Sequence, residues 1–188
     1  MVFNSLAFMA FFAIVLALHA MPFKWRTRKI NLLVASYLFY AAWNPPFVIL
    51  LWISTVVDWV AAQKLVHAER PAVRRAWMLL SVVANLGMLS YFKYGHFLLQ
   101  NFSDLMAVVG IHYVPPVWDI VLPVGISFYT FNLVSYGLDV YRKLAPCETD
   151  FLNFLTHITF FPTILSGPLT RYNNLSEQAK TRKADWEL

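Results

Sequence analysis

Long charge-free stretches alternate with short basic clusters along this chain. The charge-free runs cover 1–23, 30–57, 76–92, 120–138 and 151–170. A bilayer core about 30 Å thick takes roughly 20 apolar residues at a helical rise of about 1.5 Å each. The runs therefore predict membrane segments at 2–21, 30–43, 47–62, 76–92 and 120–141. Asn44-Pro45-Pro46 divides the second from the third, because proline removes an amide donor and clashes with the preceding turn. The expected fold class is all-α: polytopic integral membrane helices with an interfacial helix and a re-entrant broken segment.

Two stretches depart from simple crossing helices. Over 97–110, Leu98, Phe102, Leu105 and Val109 form one face, while Gln100, Asn101, Ser103 and Asp104 gather on the other. That pattern predicts an amphipathic helix lying in the membrane surface. The run 151–170 contains Pro162 and Gly167-Pro168 and is followed by Arg171, Lys180, Arg182 and Lys183. A full crossing would place those cations outside, against the positive-inside rule. Broken backbone at membrane depth survives only where protein or water surrounds it. The run is therefore expected to dip in and return, shielded by 122–136, where Ser127, Tyr129, Thr130, Asn132 and Ser135 can satisfy freed carbonyls.

Composition agrees. The 188 residues are 59% apolar and 13% charged, with a mean hydropathy of +0.55. Soluble domains average about 25% charged residues, so a soluble domain, a disordered chain and a disulfide scaffold are all excluded. Cys147 stands alone, which leaves no thiol-rich metal site. The net charge of +5 comes from clusters between apolar runs, where membrane orientation accounts for them and no nucleic-acid partner is needed. No Lys or Arg precedes the first apolar run and that run is long, so a cleavable signal is not expected. Trp25, Trp43, Trp59, Trp77 and Trp118 fall near predicted segment ends, where indoles anchor and where they also simply pack.

Candidate chemistry is sparse. His19, His67, His96, His112 and His157 show no metal-ligand spacing. His157 lies inside a charge-free run, where an ionisable residue is a functional candidate but a neutral imidazole bonded to a helix carbonyl is the more ordinary reading. Asp58 and Asp139 are expected in the last turns of descending segments, either lining a polar path or pairing with nearby basic residues such as Arg142. The six glycines never reach phosphate-loop spacing, and no serine elbow or Cys/His dyad can be assembled.

The stretches LPVGISFYTFNLVSYGLDVYR (122–142) and NFLTHITFFPTILSGPLTRYNNL (153–175), with MVFNSLAF, LLVASYLFYAAW (32–43) and YFKYGHF (91–97), resemble the membrane-bound O-acyltransferase family. Within that family the resemblance is to the alginate O-acetyltransferase-like branch. It implies transfer of an acyl group from a thioester donor to a hydroxyl, in a tunnel that excludes water, with a histidine as general base. No bound cofactor is implied beyond that acyl thioester donor. Implied partners are membrane lipids, a polysaccharide acceptor and polysaccharide biosynthesis or export subunits; the implied location is the cell inner membrane, multi-pass. Tyr129, Asn132, Asp139 and Arg171 are the expected lining of the substrate path, with Arg171 suited to an anionic donor or to holding the tail at the interface. The family histidine lies downstream of the FP-GP-R element and beyond Leu188, so no residue here inherits its role. His157 is the one candidate base within the chain.

A complete family member is much longer, so residues 1–188 are expected to be its N-terminal transmembrane portion. Three alternatives stay open: a non-catalytic transport or export subunit, a D-alanyl teichoic acid transfer-like protein, and an inactive truncated product. The charge clusters predict 22–29, 63–75 and 142–150 on the cytoplasmic side, with Asn44-Pro45-Pro46 and 111–119 outside. Single cysteines placed in these loops in a Cys147-free background should follow this pattern when labelled from outside intact cells. Outside labelling of 63–75 would refute it.

Overall fold

The computed structural model describes residues 5–111 and 121–164, and these form an all-α membrane protein. Ser5 opens α1 (Leu6–Ala20) by accepting the Phe8 N–H at 3.1 Å, and Met21-Pro22 closes it. The helix α2 (Trp25–Ala41) carries Arg26, Arg28 and Lys29 in its opening turns. Cations there oppose the helix dipole. Arg28 Nη2 offsets this by donating to the Met21 carbonyl at 3.0 Å, and Lys29 Nζ by donating to Asn153 Oδ1 at 2.5 Å. The Asn44-Pro45-Pro46 turn breaks the chain as expected, and α3 (Pro46–His67) starts with proline at a position where its missing amide costs nothing.

The helix α4 (Pro71–Val108) runs 38 residues, about 57 Å at 1.5 Å per residue. The sequence pattern divides 76–92 from 97–110, but the structure joins them. The separate surface helix is replaced by the C-terminal third of α4, because Lys93-Tyr94-Gly95-His96 contains no proline and a single helical glycine costs only about 1 kcal/mol. Next comes α5 (Ile126–Tyr141), shorter than the expected 120–141 because Pro123 and Gly125 (φ 75°) hold the preceding residues out of the helix. Asp150 caps α6 (Phe151–Thr159) by accepting the Leu152 N–H at 3.0 Å, and α7 (Phe161–Ile164) follows.

Two helices end in the same motif with different residues. At the end of α4, Gly110 (φ 84°) donates to Ala107 O at 3.0 Å and Ile111 to Met106 O at 2.9 Å. At the end of α5, Lys143 (φ 61°) donates to Val140 O at 3.1 Å and Leu144 to Asp139 O at 2.8 Å. Both are Schellman caps, whose left-handed residue is usually glycine. Lys143 is the one non-glycine with positive φ among the described residues.

The helices α3, α4 and α5 pack against one another, α6 lies against α2 and α3, and α1 rests on α2. The main core joins Tyr40, Leu51, Leu65, Leu89, Tyr129, Leu133, Tyr136, Phe154 and Ile158. Leu79, Leu80 and Val83 of α4 and Ile49, Trp52 and Ile53 of α3 are exposed; lipid is the solvent that suits such a face. Both helices are long and apolar enough to cross a membrane, while the apolar α1 is shorter. Because α3 continues to His67, Trp59 sits two turns inside it and not at its end, against Phe151 at a centroid distance of 5.2 Å.

The segment 151–170 is broken, as far as it is described. Pro162 has no amide to give the Ile158 carbonyl, so α6 stops at Thr159 and α7 restarts after Phe160. Gly167, Pro168 and Arg171 lie outside the described residues, so the return of the chain does too. The expected segment 122–136 supplies apolar cover, since Ile126, Tyr129 and Leu133 share one core with Ile158 and Ile164, and α2 supplies a polar partner. Ser36 Oγ of α2 accepts the freed Phe161 N–H at 3.2 Å, and Phe161 packs among Phe8, Phe11 and Phe39 at centroid distances of 5.5 to 6.5 Å. The helix α2 runs alongside α6 and α7, while the Tyr129 and Thr130 hydroxyls of α5 have no partner. Ser36→Ala should destabilise the chain by about 1 kcal/mol, the net worth of a buried hydrogen bond. Equilibrium unfolding in mixed detergent will check this, and an unchanged midpoint would show that Ser36 does not support the break.

Candidate functional site

Polar groups inside the bundle gather in three places. The first is the α3–α4 contact. Asp58 is 2% exposed, and its carboxylate accepts from Ser81 Oγ and, at 2.5 Å, from Asn85 Nδ2. Asn85 Nδ2 also donates to Ser81 O at 2.9 Å, while Asn85 Oδ1 has no partner. Ser81 and Asn85 are one turn apart on α4 and so present one face to Asp58. From the third side, α5 comes close at Gly137, where a Cβ would stand 3.2 Å from Ser81 Oγ. The expected pairing of Asp58 with basic loop residues does not occur: α3 outruns its predicted end, leaving Asp58 mid-helix with neutral donors.

The second place is the start of α5. Tyr40 Oη of α2 donates to the Val124 carbonyl at 2.9 Å, satisfying backbone that Pro123 and Gly125 leave unwound. Tyr129 and Thr130 are fully buried, and neither hydroxyl has a partner. Lys93 Nζ of α4 donates to Ser127 Oγ at 3.2 Å.

The third place is the basic end of the bundle, where α5 turns into α6. Tyr136 Oη accepts the Glu148 N–H at 3.0 Å, and Gln63 Nε2 donates to Glu148 O at 2.6 Å. Glu148 Oε1 accepts the Asp150 N–H at 3.1 Å. These bonds pin the 142–150 connection to α3 and α5 and leave an open cavity of about 580 Å³. Its lining is Val66, Arg74, Val140 and residues 143–147. Arg74 Nη2 donates to Tyr141 O at 3.3 Å, and its guanidinium carbon lies 5.8 Å from the Tyr141 ring centroid. Arg74 Nε is buried without a partner. Burial pushes the Cys147 thiol above its usual range.

Among the residues expected from sequence, Tyr129, Asn132 and Asp139 fall along one face of α5, at intervals of three and seven. They are spread over about 15 Å of helix rise, so they form a stripe and not one cluster. Tyr129 and Asp139 are buried and Asn132 is half-buried. Asp139 makes no ion pair with Arg142 among the described residues. His157 lies half-buried on α6, away from the cavity lining. Arg171 lies outside the described residues. Sequence reasoning missed Arg74 and Lys143 as a pair, because both sat in clusters that membrane orientation already explained. The positive φ of Lys143 leaves no mark in sequence.

The fold and these sites define an all-helical membrane chain with polar groups held inside its bundle. No protein-family model and no solved structure matches it. Over almost its full length it is nevertheless similar to curated polysaccharide O-acetyltransferases, in keeping with the alginate O-acetyltransferase-like branch of the membrane-bound O-acyltransferases. It is 35% identical over 185 residues to the probable alginate O-acetylase AlgI of Pseudomonas aeruginosa, covering 97% of this chain and 35% of that protein. The probable alginate O-acetylase AlgI of Azotobacter vinelandii is 34% identical over 184 residues, covering 97% of this chain and 36% of its own. A peptidoglycan O-acetyltransferase of Helicobacter pylori is 28% identical over 178 residues, covering 82% of this chain and 33% of its own. The chain thus spans about a third of the length of these relatives.

The Asp58 cluster yields a stability prediction. Asp58→Asn turns an acceptor towards the Asn85 amide into a second donor, and Asn85→Asp sets two carboxyl groups face to face. Each single change should cost about 2 kcal/mol, the scale for a buried polar partner lost. The double exchange should recover at least half of the summed loss, because donor and acceptor again face each other. Additive losses in detergent unfolding would contradict this pairing.

Proposed function

We propose that this chain forms part of a multi-pass inner-membrane O-acyltransferase that moves acetyl groups from a thioester donor to hydroxyls of an exported polysaccharide such as alginate. The observation that carries the reading is the 35% identity to an alginate O-acetylase across 97% of the chain, on a helical membrane fold with polar groups in its bundle. The peptidoglycan-acetylating relative supports an exported glycan as the broader acceptor class. In this reading residues 1–188 are the N-terminal transmembrane portion of the catalytic domain. They supply scaffold and path wall, with Tyr129, Asn132, Asp139 and Arg171 along the path.

Acetyl transfer needs a base within hydrogen-bond reach of the acceptor hydroxyl. His157 is the weak internal candidate, on a helix next to the Pro162 break. The stronger expectation is that the base lies outside these residues, and that the chain contributes water exclusion and positioning, which protect a thioester from hydrolysis. Polysaccharide biosynthesis or export subunits are the expected partners.

A chimera tests the reading. Replacing the matching third of the Pseudomonas aeruginosa relative with this chain should preserve acetyl ester formation on the polymer. The 188-residue chain alone should give none above background, since loss of a general base typically removes about 10²–10⁴-fold of rate. An inactive chimera that inserts and accumulates normally would count against the assignment. Acetyl transfer by the chain alone would move the base inside it, with His157→Ala as the deciding variant.

A further inference from the structure

The open cavity at the basic end of the bundle is lined by groups that none of the acyl-transfer roles above employs. Its floor and walls are apolar: Val66 from α3, Val140 from α5, and Leu144, Ala145 and Pro146 from the connection to α6. Its charged lining consists of two cations, Arg74 and Lys143. Two buried carboxylates adjoin the lining in sequence: Asp139 precedes Val140, and Glu148 follows Cys147 with Oε1 engaged by the Asp150 amide. Arg74 is held by the Tyr141 carbonyl and ring, which leaves a buried Nε–H without an acceptor. Lys143 occupies the left-handed position of a Schellman cap, the place that glycine fills at residue 110 in the equivalent cap of α4. A lysine there gives up backbone ease that glycine would provide, and an outlier of this kind points towards a use for its side chain.

We propose that Arg74 and Lys143 bind the phosphate of an amphiphilic phosphate ester, whose apolar arm lies along Val66, Val140, Leu144 and Pro146. A planar guanidinium and an ammonium across an apolar floor suit a phosphate oxygen pair joined to a hydrophobic or extended arm. Two sources carry this chemistry. One is the head group of an anionic phospholipid, taken from the surrounding bilayer as in other basic pockets between membrane helices. The other is the phosphate portion of a soluble nucleotide thioester cofactor. The lipid source stands apart from acetyl transfer, while the cofactor source rests on the proposed function.

Cys147 lines the same cavity and is the one cysteine in the chain, so it reports occupancy directly. The 188-residue chain is held in dodecyl maltoside micelles, which carry no phosphate, and the rate of Cys147 alkylation by N-ethylmaleimide is measured at mildly alkaline pH. The same rate is then measured with desulfo-coenzyme A added, which has no thiol to consume the maleimide, and in micelles containing phosphatidylglycerol. At about ten times its Kd, a ligand in the cavity should slow alkylation about tenfold. Slowing by desulfo-coenzyme A alone assigns the soluble source, slowing by phosphatidylglycerol alone assigns the lipid, and slowing by both shows recognition of the shared phosphate.

Lys143→Gly and Arg74→Gln should each relieve the protection at least severalfold. Lys143→Gly suits the local backbone and should leave the unfolding midpoint unchanged or raised, which separates binding from folding. Failure of both compounds to slow alkylation overturns the proposal, as does protection that survives in both variants. No acetyl transfer is measured, so this result and that of the chimera stand independently.

Discussion

A carboxylate taken out of water must find donors or it unfolds the segment that carries it, and inside a bilayer no water is available to help. Asp58 meets that demand with Ser81 Oγ and Asn85 Nδ2 of α4. Much of the arrangement follows from this. The donors sit one turn apart, so α3 and α4 are fixed in rotation as well as in distance. Gly137 lets α5 approach Ser81, so the third helix closes over the polar pair and seals it from lipid. Leu51, Leu65, Leu89, Leu133 and Tyr136 then pack around the junction as an apolar core. Packing between membrane helices gains little from apolar burial, because lipid is as apolar as leucine, and close approach with polar contacts takes over that role.

The same demand shapes the breaks. At Pro123–Gly125 a free carbonyl is met by Tyr40, and at Phe160–Phe161 a free amide is met by Ser36, both from α2. Ser36 and Tyr40 are one turn apart, so one face of α2 supports both discontinuities. Irregular backbone at membrane depth requires such protein neighbours. The aromatic cluster of Phe8, Phe11, Phe39 and Phe161 closes the second break, and its edge contacts (Phe8–Phe39, Phe8–Phe161 and Phe11–Phe161) each add about 0.5–1.5 kcal/mol beyond burial.

Much of this was legible in the chain. Charge-free runs marked the helices, Asn44-Pro45-Pro46 marked a turn, and Pro162 marked a break. Periodicity failed at 93–97, where a change from apolar to amphipathic residues looked like a boundary but carried no helix breaker. It also failed to show that Ser36 would meet the freed amide, because that pairing spans 125 residues and depends on which helices lie side by side. Tyr129, Asn132 and Asp139 did fall on one face, as an interval rule can foresee. Arg74 and Lys143 did not stand out. Membrane orientation explains every cation in a loop equally well, and only the backbone angle of Lys143 distinguishes it from Arg142.

Orientation and recognition need not compete for the same cations. A basic cluster that keeps a loop on one side of the membrane acts through net charge, and any arrangement of Lys and Arg serves it. Binding a phosphate depends on geometry: cations placed by a defined backbone beside an adjoining apolar surface. The 142–150 connection has both properties. Tyr136 and Gln63 hold its backbone through Glu148, and the Schellman cap fixes where Lys143 leaves the helix. Arg74, packed on the Tyr141 ring, comes from a different helix with its own restraint. Loops held this firmly are more than topological signals, because a signal read by charge alone would gain nothing from being rigid.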